Sequence, residues 1–458
     1  MSTVCAVSTP LAEGGISVIR ISGEKALEVA ARVFIPFASF GSVLNMKGYT
    51  CAHGRVIDPA DGKTVDDGVL TIFRAPRSYT GEDVAEISCH GGVFIAKKVL
   101  RICLENGCQP ADRGEFTKRA FLNGKLSLTQ AESVMDMISA QGEYTLRAAR
   151  LAGEGKLFRD ITSVKDRLIK ILGELAAWVD YPEEDLPEVE ENSLRHSLES
   201  SAQVLSGILK DYDCGMLLKS GIDTVIAGRP NVGKSTLMNM LLGYDRSIVT
   251  DIAGTTRDVI EESARLGEFI LKLSDTAGIH ETDDKVEKLG VDLARKKIEG
   301  CALVIAVFDT SVPLTDEDYE LLEYVKSVGK NLVIALNKSD LGTVLDKESF
   351  KKYTAHVIEI SAKQGEGTEE IKAACAEIFS LAGYDADSTV FVNERQKNCA
   401  SQALNKLNAA LGALNSGETL DAVTVMIDYA LQSLTELTGE CASEQVVAEV
   451  FSKFCVGK

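Results

Sequence analysis

The 458-residue sequence has no run of the ~18 consecutive apolar residues that a membrane-spanning helix needs, so it predicts no bilayer span. Its start, "MSTVCAVSTPLAEGG", lacks a basic stretch followed by an apolar core, which argues against a secretory signal and for a cytoplasmic location. Its 11 cysteines include no C-x-x-C pair and no Cys/His grouping of zinc spacing, which excludes finger- or ribbon-type metal sites. An odd count without a secretion signal fits reduced thiols, most of them small core residues. Tryptophan is nearly absent: Trp178 stands alone on a helical apolar stripe, where core packing is expected. A basic excess is missing as well. Lys and Arg number 49 against 68 Asp and Glu, a formal net charge of −19. Residues 1–120 are near balance at +1, whereas residues 121–215, 216–383 and 384–458 carry −7, −8 and −5. Phosphate-backbone binding depends on Lys and Arg, so any nucleic acid must be held by a local patch or by a partner protein.

What is present is strongly patterned. Residues 1–118 alternate short β-rich runs, "GISVIRIS", "GVLTIF" and "DVAEISCHGG", with Gly, Pro and Asp breaks, and add a helical "VFIAKKVLRICLENG". That pattern predicts an α+β domain. Residues 119–216 place apolar side chains every three or four positions in "LTQAESVMDMISAQGEYTLRAARL" and "ITSVKDRLIKILGELAAWV", the mark of amphipathic helices. The acidic "DYPEEDLPEVEE" then breaks the pattern at Pro182 and Pro187. Over residues 217–382, the apolar strands "TVIAG", "FILKLSD", "ALVIAVFD", "NLVIALN" and "AHVIEIS" are each followed by a polar loop and a helical stretch. That alternation predicts a doubly wound α/β sheet. Residues 383–458 are helical again. So short a tail buries little by itself and is expected to pack on the helices of residues 119–216. The α/β module is then an insertion into a discontinuous helical, all-α domain.

The segment "GRPNVGKS", residues 228–235, matches G-x-x-x-x-G-K-[ST] between a strand and a helix, where backbone N–H groups curl around phosphate oxygens. Asn231, Val232, Gly233, Lys234, Ser235 and Thr236 are the candidate phosphate contacts. Lys234 supplies positive charge at the β- and γ-phosphates, a catalytic role, and Ser235 a hydroxyl for Mg²⁺. "DTAG" brings Asp275, Thr276, Ala277 and Gly278 to a strand end on the Mg²⁺ and γ-phosphate side. "NKSD" brings Asn337, Lys338 and Asp340, whose carboxylate can accept two hydrogen bonds from guanine; adenine lacks that donor pair. "SAK", with Ser361, Ala362 and Lys363, completes the base pocket. The order of these motifs predicts GTP binding by a Ras-like, P-loop module. A Ras-like enzyme places Gln after D-T-A-G to orient water, but here Ile279 follows. In the switch I position "TDIAGTTRD" supplies Thr250, Asp251, Ile252, Ala253, Gly254, Thr255 and Thr256, the last placed for Mg²⁺. Asn231 is either a cap of the loop or a ligand for a monovalent cation that offsets developing charge, as an arginine finger does.

With "TPLAEGGISVIRISG", "SYTGEDVAEISCHGG", "GEFTKRAFLNGKLSLTQAE" and the terminal "FCVGK", these blocks resemble the MnmE (TrmE) family of bacterial tRNA-modifying GTPases from end to end. The resemblance implies an N-terminal folate-binding domain that forms a homodimer, and G domains that pair across their nucleotide faces when K⁺ is present. It places K⁺ on Asn231, Thr250, Ile252 and Thr255, and Mg²⁺ on Ser235 and Thr256. The catalytic water falls to Glu287, which spacing alone reads as one acid on a charged helix. With a flavin-containing MnmG-type partner, which carries the FAD, the family adds an aminomethyl or carboxymethylaminomethyl group to C5 of the wobble uridine of certain tRNAs. The carbon comes from a tetrahydrofolate derivative (5,10-methylene or 5-formyl). The family's folate contacts map onto Arg20, Glu86, Lys125 and Lys458, each of which otherwise reads as a surface ion pair worth ~0–1 kcal/mol. Val456 replaces the usual Ile of the tail, and Glu13 stands in a loop that is more often basic or glycine-rich.

Cys455 sits four residues from the end, in a frame that misses a prenylation signal because Gly457 is not aliphatic and Lys458 is not a usual final residue. A tail that carries a folate contact is not a frayed end, and Cys455 is a candidate catalytic thiol, a redox group or a packed residue. Two other readings remain beside the main one. A switch GTPase of ribosome assembly would share every nucleotide motif but leaves residues 1–118 unexplained. A redox-regulated GTPase would need a thiol of lowered pKa, for which the sequence has no recognisable device.

Overall fold

The structure, a computed structural model, describes residues 1–37, 42–140, 142–180, 191–244, 262–267, 269–275, 295–379 and 393–458. Its contacts divide the chain into two compact units, Met1–Ile138 with Arg150–Leu205 and Asn398–Lys458, and Ser139–Ala149 with Ser206–Lys397. The strands are β1 (Val4–Val7), β2 (Ile16–Ser22), β3 (Phe34–Pro36), β4 (Thr50–Ile57), β5 (Thr64–Phe73), β6 (Val84–His90), β7 (Gln109–Pro110), β8 (Ile222–Ala227), β9 (Glu262–Leu266), β10 (Phe269–Asp275), β11 (Leu303–Asp309), β12 (Asn331–Asn337) and β13 (Val357–Glu359). The helices are α1 (Ala26–Val33), α2 (Val93–Glu105), α3 (Glu115–Leu122), α4 (Leu128–Ser139), α5 (Glu143–Gly153), α6 (Lys156–Asp180), α7 (Glu191–Ser220), α8 (Lys234–Tyr244), α9 (Asp316–Val328), α10 (Thr368–Ile378), α11 (Glu394–Asn415), α12 (Leu420–Thr438) and α13 (Glu444–Ser452).

In the first unit seven strands run in the order β3-β4-β5-β6-β2-β1-β7, antiparallel throughout except for β1 and β7. One face is apolar. β4 alternates, with Ala52 and Val56 buried and Cys51, His53 and Arg55 exposed, as a strand with a single covered face must. Ile19, Ile21, Leu70, Ile72 and Ile87 meet Val29, Val33, Val99 and Ile102 of α1 and α2 in one core. The register sets Arg20 of β2 opposite Glu86 of β6, on the face away from that core.

The helices of this unit pack by periodicity. α6 buries Leu157, Ile161, Val164, Leu168, Ile171 and Leu175, a four-three-four-three rhythm. α12 buries Val423, Ile427, Ala430, Leu434 and Leu437 in the same rhythm, and the two helices pack together. The C-terminal helix α12 thus lies against α6. α13 adds Val447, Val450 and Phe451 to a cluster with Leu128 and Ala131 of α4, which Phe454 closes. Trp178 lies on α6, but its side chain and the acidic segment 181–190 are outside the described residues.

The second unit holds a six-stranded sheet, β13-β12-β11-β8-β10-β9, parallel except for β9 against β10. Here both faces are covered. Leu303, Ile305 and Val307 of β11 point into one core, while Val304, Ala306 and Phe308 point into the other. That is why "LVIAVF" is an unbroken apolar run where β4 alternates. β8 lies between strands that follow it on opposite sides, so the crevice at its carboxyl end is a topological switch point.

The seam between α6 and α12 makes a direct prediction. Leu168→Ala removes a fully buried side chain from it and should cost about 2–5 kcal/mol of the unit's stability. Thermal unfolding followed by circular dichroism should show a lowered transition; an unshifted one would contradict the packing.

Candidate functional site

At the switch point the chain leaves β8 through residues 228–233 and enters α8 at Lys234. Gly228 has φ +148° and Gly233 φ +99°, and a Cβ would collide with the Val307 carbonyl at the first and with the Asn337 amide at the second. The motif's glycines are thus demanded by backbone and by neighbours together. Lys234 is 8% exposed, and its ammonium donates to the carbonyls of Gly228 and Arg229, both at 2.8 Å. The ammonium closes the loop into a ring beside the N-terminus of α8, an anion cradle. Ser235 and Thr236 are exposed, and Val232 is buried beneath them. Arg229 holds the loop from outside through Asp318, at 2.8 Å, and that buried carboxylate also accepts from the Thr315 backbone at the start of α9.

The base side is tied to the phosphate side by two residues of "NKSD". Asn337 is buried; its amide donates to the Val232 carbonyl at 2.9 Å, and its oxygen accepts from Ala362 N–H at 3.0 Å. Lys338 adopts φ +64° and donates to the Asn231 carbonyl at 2.9 Å and to Asp309 at 2.6 Å. Burial raises the Asp309 carboxyl, but the hydrogen bonds from Lys338 and Ser311 outweigh it and hold the group below its ordinary value. Asp340 is exposed and accepts from the buried Ser361 hydroxyl at 2.8 Å, which orients its carboxylate. Lys363 is exposed beside it. Asn231 has a left-handed backbone, φ +65°, and an exposed side chain. Asp275 ends β10, its backbone in register with Ile226 of β8. Thr250, Asp251, Ile252, Ala253, Gly254, Thr255, Thr256, Thr276, Ala277, Gly278 and Glu287 lie outside the described residues.

A second constellation forms where the C-terminus meets the first sheet. Arg20 donates to Glu86 at 2.7 Å, and its guanidinium lies between the rings of Phe116 and Tyr79, 5.5 and 5.9 Å from their centres. The Gly457 carbonyl accepts from Ser8 at 3.0 Å and from Arg20 at 3.4 Å. Gly114 N–H donates to the Cys455 carbonyl at 3.3 Å and Phe116 N–H to the Lys458 carbonyl at 3.1 Å, while Val456 forms a bridge with Arg113. Gly457 has φ +96°, and a Cβ there would run into the Val7 carbonyl. The final four residues are therefore laid into the fold by their backbone, with Cys455 and Val456 exposed.

The structure brings Arg20, Glu86 and the Lys458 backbone to one place. Lys125 donates to the Pro76 carbonyl at 3.2 Å. Pro76 begins the loop that carries Tyr79, whose hydroxyl pairs with Thr117 at 2.9 Å. Arg119, almost fully buried, clamps that loop to α3 through Glu82 at 3.0 Å and Glu115 at 2.9 Å. His90 is exposed and paired with Asp66, and Glu13 is exposed. The sequence reading missed Ser8, Tyr79, Phe116, Asp309 and Asp318. Asp309 alone had a signal, an acid closing an apolar strand.

The crowding at Gly233 gives the prediction for this site. Gly233→Ala combines a left-handed φ with a collision against Asn337, so guanine-nucleotide affinity should fall at least about fivefold, by the ~1–3 kcal/mol of a strained backbone. Titration with a fluorescent GDP analogue measures it, and unchanged affinity would refute the cradle.

The chain also compares directly with known proteins. A family model of the GTP-binding protein TrmE N-terminus matches residues 3–125, and one of the MnmE helical domain matches residues 128–455. The tRNA modification GTPase MnmE of Carboxydothermus hydrogenoformans is 41% identical, covering 100% of this chain and 99% of its own. That of Lactobacillus acidophilus is 39% identical over 100% and 98%, and that of Acetivibrio thermocellus 38% over 100% and 99%. Among solved structures, a single-residue variant of Aquifex aeolicus Era bound to GDP and AlF4⁻ is 25% identical over 40% of this chain and 66% of its own, with a TM-score of 0.28. End to end, in its two family matches and its full-length relatives, the chain belongs to the MnmE (TrmE) family of tRNA modification GTPases.

Proposed function

We propose that this chain is a K⁺-activated GTP hydrolase acting in tRNA modification. As a homodimer, with a flavin-containing MnmG-type partner, it adds an aminomethyl-type group to C5 of the wobble uridine of certain tRNAs, using a tetrahydrofolate one-carbon unit. The observation that carries this reading is the seating of the terminal residues on the Arg20–Glu86 pair. A GTPase that served only as a switch gives no reason for such an anchored tail. The residues fit a folate. Glu86 has a second oxygen for the donor edge of a pterin, and Arg20, Lys125 and Lys458 suit the carboxylates of a glutamate tail. When bound, the folate supplies the carbon to be transferred. The exposed Cys455 thiol is held beside this patch through its own backbone.

On the nucleotide side Lys234 and the α8 N-terminus hold the phosphates, and Asp340 with Ser361 reads guanine. Ser235 and Thr256 would hold Mg²⁺; Asn231, Thr250, Ile252 and Thr255 would hold K⁺. Asn231 and Ser235 fit, since both side chains are exposed, the first on the phosphate loop and the second in the first turn of α8. K⁺ there supplies the charge that an arginine finger supplies elsewhere. Glu287 orients the water that Ile279 cannot.

Replacing K⁺ by Na⁺ should therefore slow GTP turnover sharply, and Asn231→Ala should be slow in both salts. Phosphate release measures it; equal rates in K⁺ and Na⁺ for the unmodified protein would defeat the cation assignment. The tail gives a separate test. Deleting residues 455–458 should leave GTP hydrolysis largely intact, weaken folate binding and abolish wobble-uridine modification. Cys455→Ser isolates the thiol: retained folate binding with lost modification assigns it a chemical role, and normal modification makes it a packing residue.

A further inference from the structure

The chain is acidic, yet from Lys156 to Lys170 five basic residues stand against two acidic ones. Lys165 is turned inward, almost fully buried, to pair with Glu440. Three of the others border a groove of about 500 Å³ on α6, lined by Phe158, Arg159, Thr162, Ser163, Asp166, Arg167 and Lys170. The spacing puts Arg159, Ser163 and Arg167 on one helical row and Thr162, Asp166 and Lys170 on the next. The two arginines are about 12 Å apart along the axis.

Their partners are unusual. Arg159 donates to the Glu154 carbonyl at 2.6 Å, and Arg167 donates to the Ser200 hydroxyl at 2.6 Å and the Ser163 carbonyl at 3.3 Å. Among the described residues neither guanidinium has a carboxylate partner within ion-pair distance, whereas Arg150 pairs with Glu154 and Lys170 with Glu174. Both are fixed by neutral oxygens. Fixed guanidiniums and the half-buried ring of Phe158 suit a flexible polyanion with a nucleoside between its charges.

We propose that this α6 groove holds the phosphate backbone of the tRNA, so that this chain contacts its substrate directly. The proposal rests on the tRNA-modification reading above. The groove reads no sequence; it positions the strand, as phosphate contacts do. Asp166, the one carboxylate in the lining, opposes the anion and limits the affinity.

The test uses the full-length protein and an unmodified tRNA transcript, with fluorescence anisotropy over a series of KCl concentrations. Arg159→Ala with Arg167→Ala should weaken binding about tenfold or more and lower the slope of log affinity against log salt by about 2. Asp166→Asn should tighten binding, which a merely structural role for α6 would not produce. Arg159→Lys with Arg167→Lys should keep the salt slope, guarding against a folding defect in the alanine variant. GTP turnover without tRNA should be unchanged in all three. Unchanged affinity and slope in the alanine variant would overturn the proposal and leave the groove to an acidic protein. Binding by the unmodified protein that ignores salt would overturn it too, while wobble-uridine modification still dependent on the chain would leave its function standing. Cells that keep the modification without this chain would instead remove the reading on which the groove rests.

Discussion

A single side-chain amide, that of Asn337, fixes the geometry of the nucleotide crevice. Being buried, it must answer its donors and its acceptor within the protein, because an unpaired buried polar group costs about 1–3 kcal/mol. It does so across the crevice, donating to Val232 in the phosphate loop and accepting from Ala362 in the base loop. Three features go with it. Residue 233 can carry no Cβ, since the amide lies where that atom would go. Lys338, the residue after Asn337, has a left-handed backbone and its ammonium reaches back to Asn231 and Asp309. Asp340 then emerges two residues further on, where Ser361 can orient it. Phosphate and base recognition are therefore two ends of one hydrogen-bonded brace, and a change at either end is felt at the other.

The first unit solves a different problem by similar means. A chain terminus normally frays. This one is held by main-chain and side-chain hydrogen bonds from Ser8, Arg20, Gly114 and Phe116, and Gly457 is compressed against the Val7 carbonyl. Because the backbone makes the contacts, the side chains of Cys455 and Val456 are left outward. Anchoring and exposure are two results of one arrangement. Arg20 is held from four directions, by Glu86, Gly457 and two rings, so little rotamer freedom remains to be lost when an anion arrives.

How much of this could be read from the residues depends on the range of the interaction. Periodicity is local, so the amphipathic rhythm of α6 and the unbroken apolar run of β11 were both legible, and with them the doubly wound sheet and the helices. The phosphate loop and "NKSD" were legible because their chemistry requires fixed neighbours in sequence. Ser8, Tyr79 and Phe116 were not. They meet Arg20 or Gly457 only through register and the return of the chain end, with Ser8 and Gly457 separated by 449 positions. Asp318 was hidden for the opposite reason: an acid in the first turn of a helix is common, and nothing local distinguishes one that also grips Arg229.

Charge shows the same limit. A net −19 describes the whole surface, yet a polyanion meets only the patch within a Debye length, about 8–10 Å, of its contacts. Over that distance the α6 groove is basic, because Arg159 and Arg167 rest on neutral oxygens. Arg147 with Glu143 and Arg150 with Glu154, on the preceding helix, show the ordinary pattern of a base with an acid one helical turn away. An acidic body repels a polyanion over much of its surface, and a basic groove then gives it a favoured place to bind. For a protein acting on a folded nucleic acid, the global charge then selects orientation, and the local charge supplies the grip.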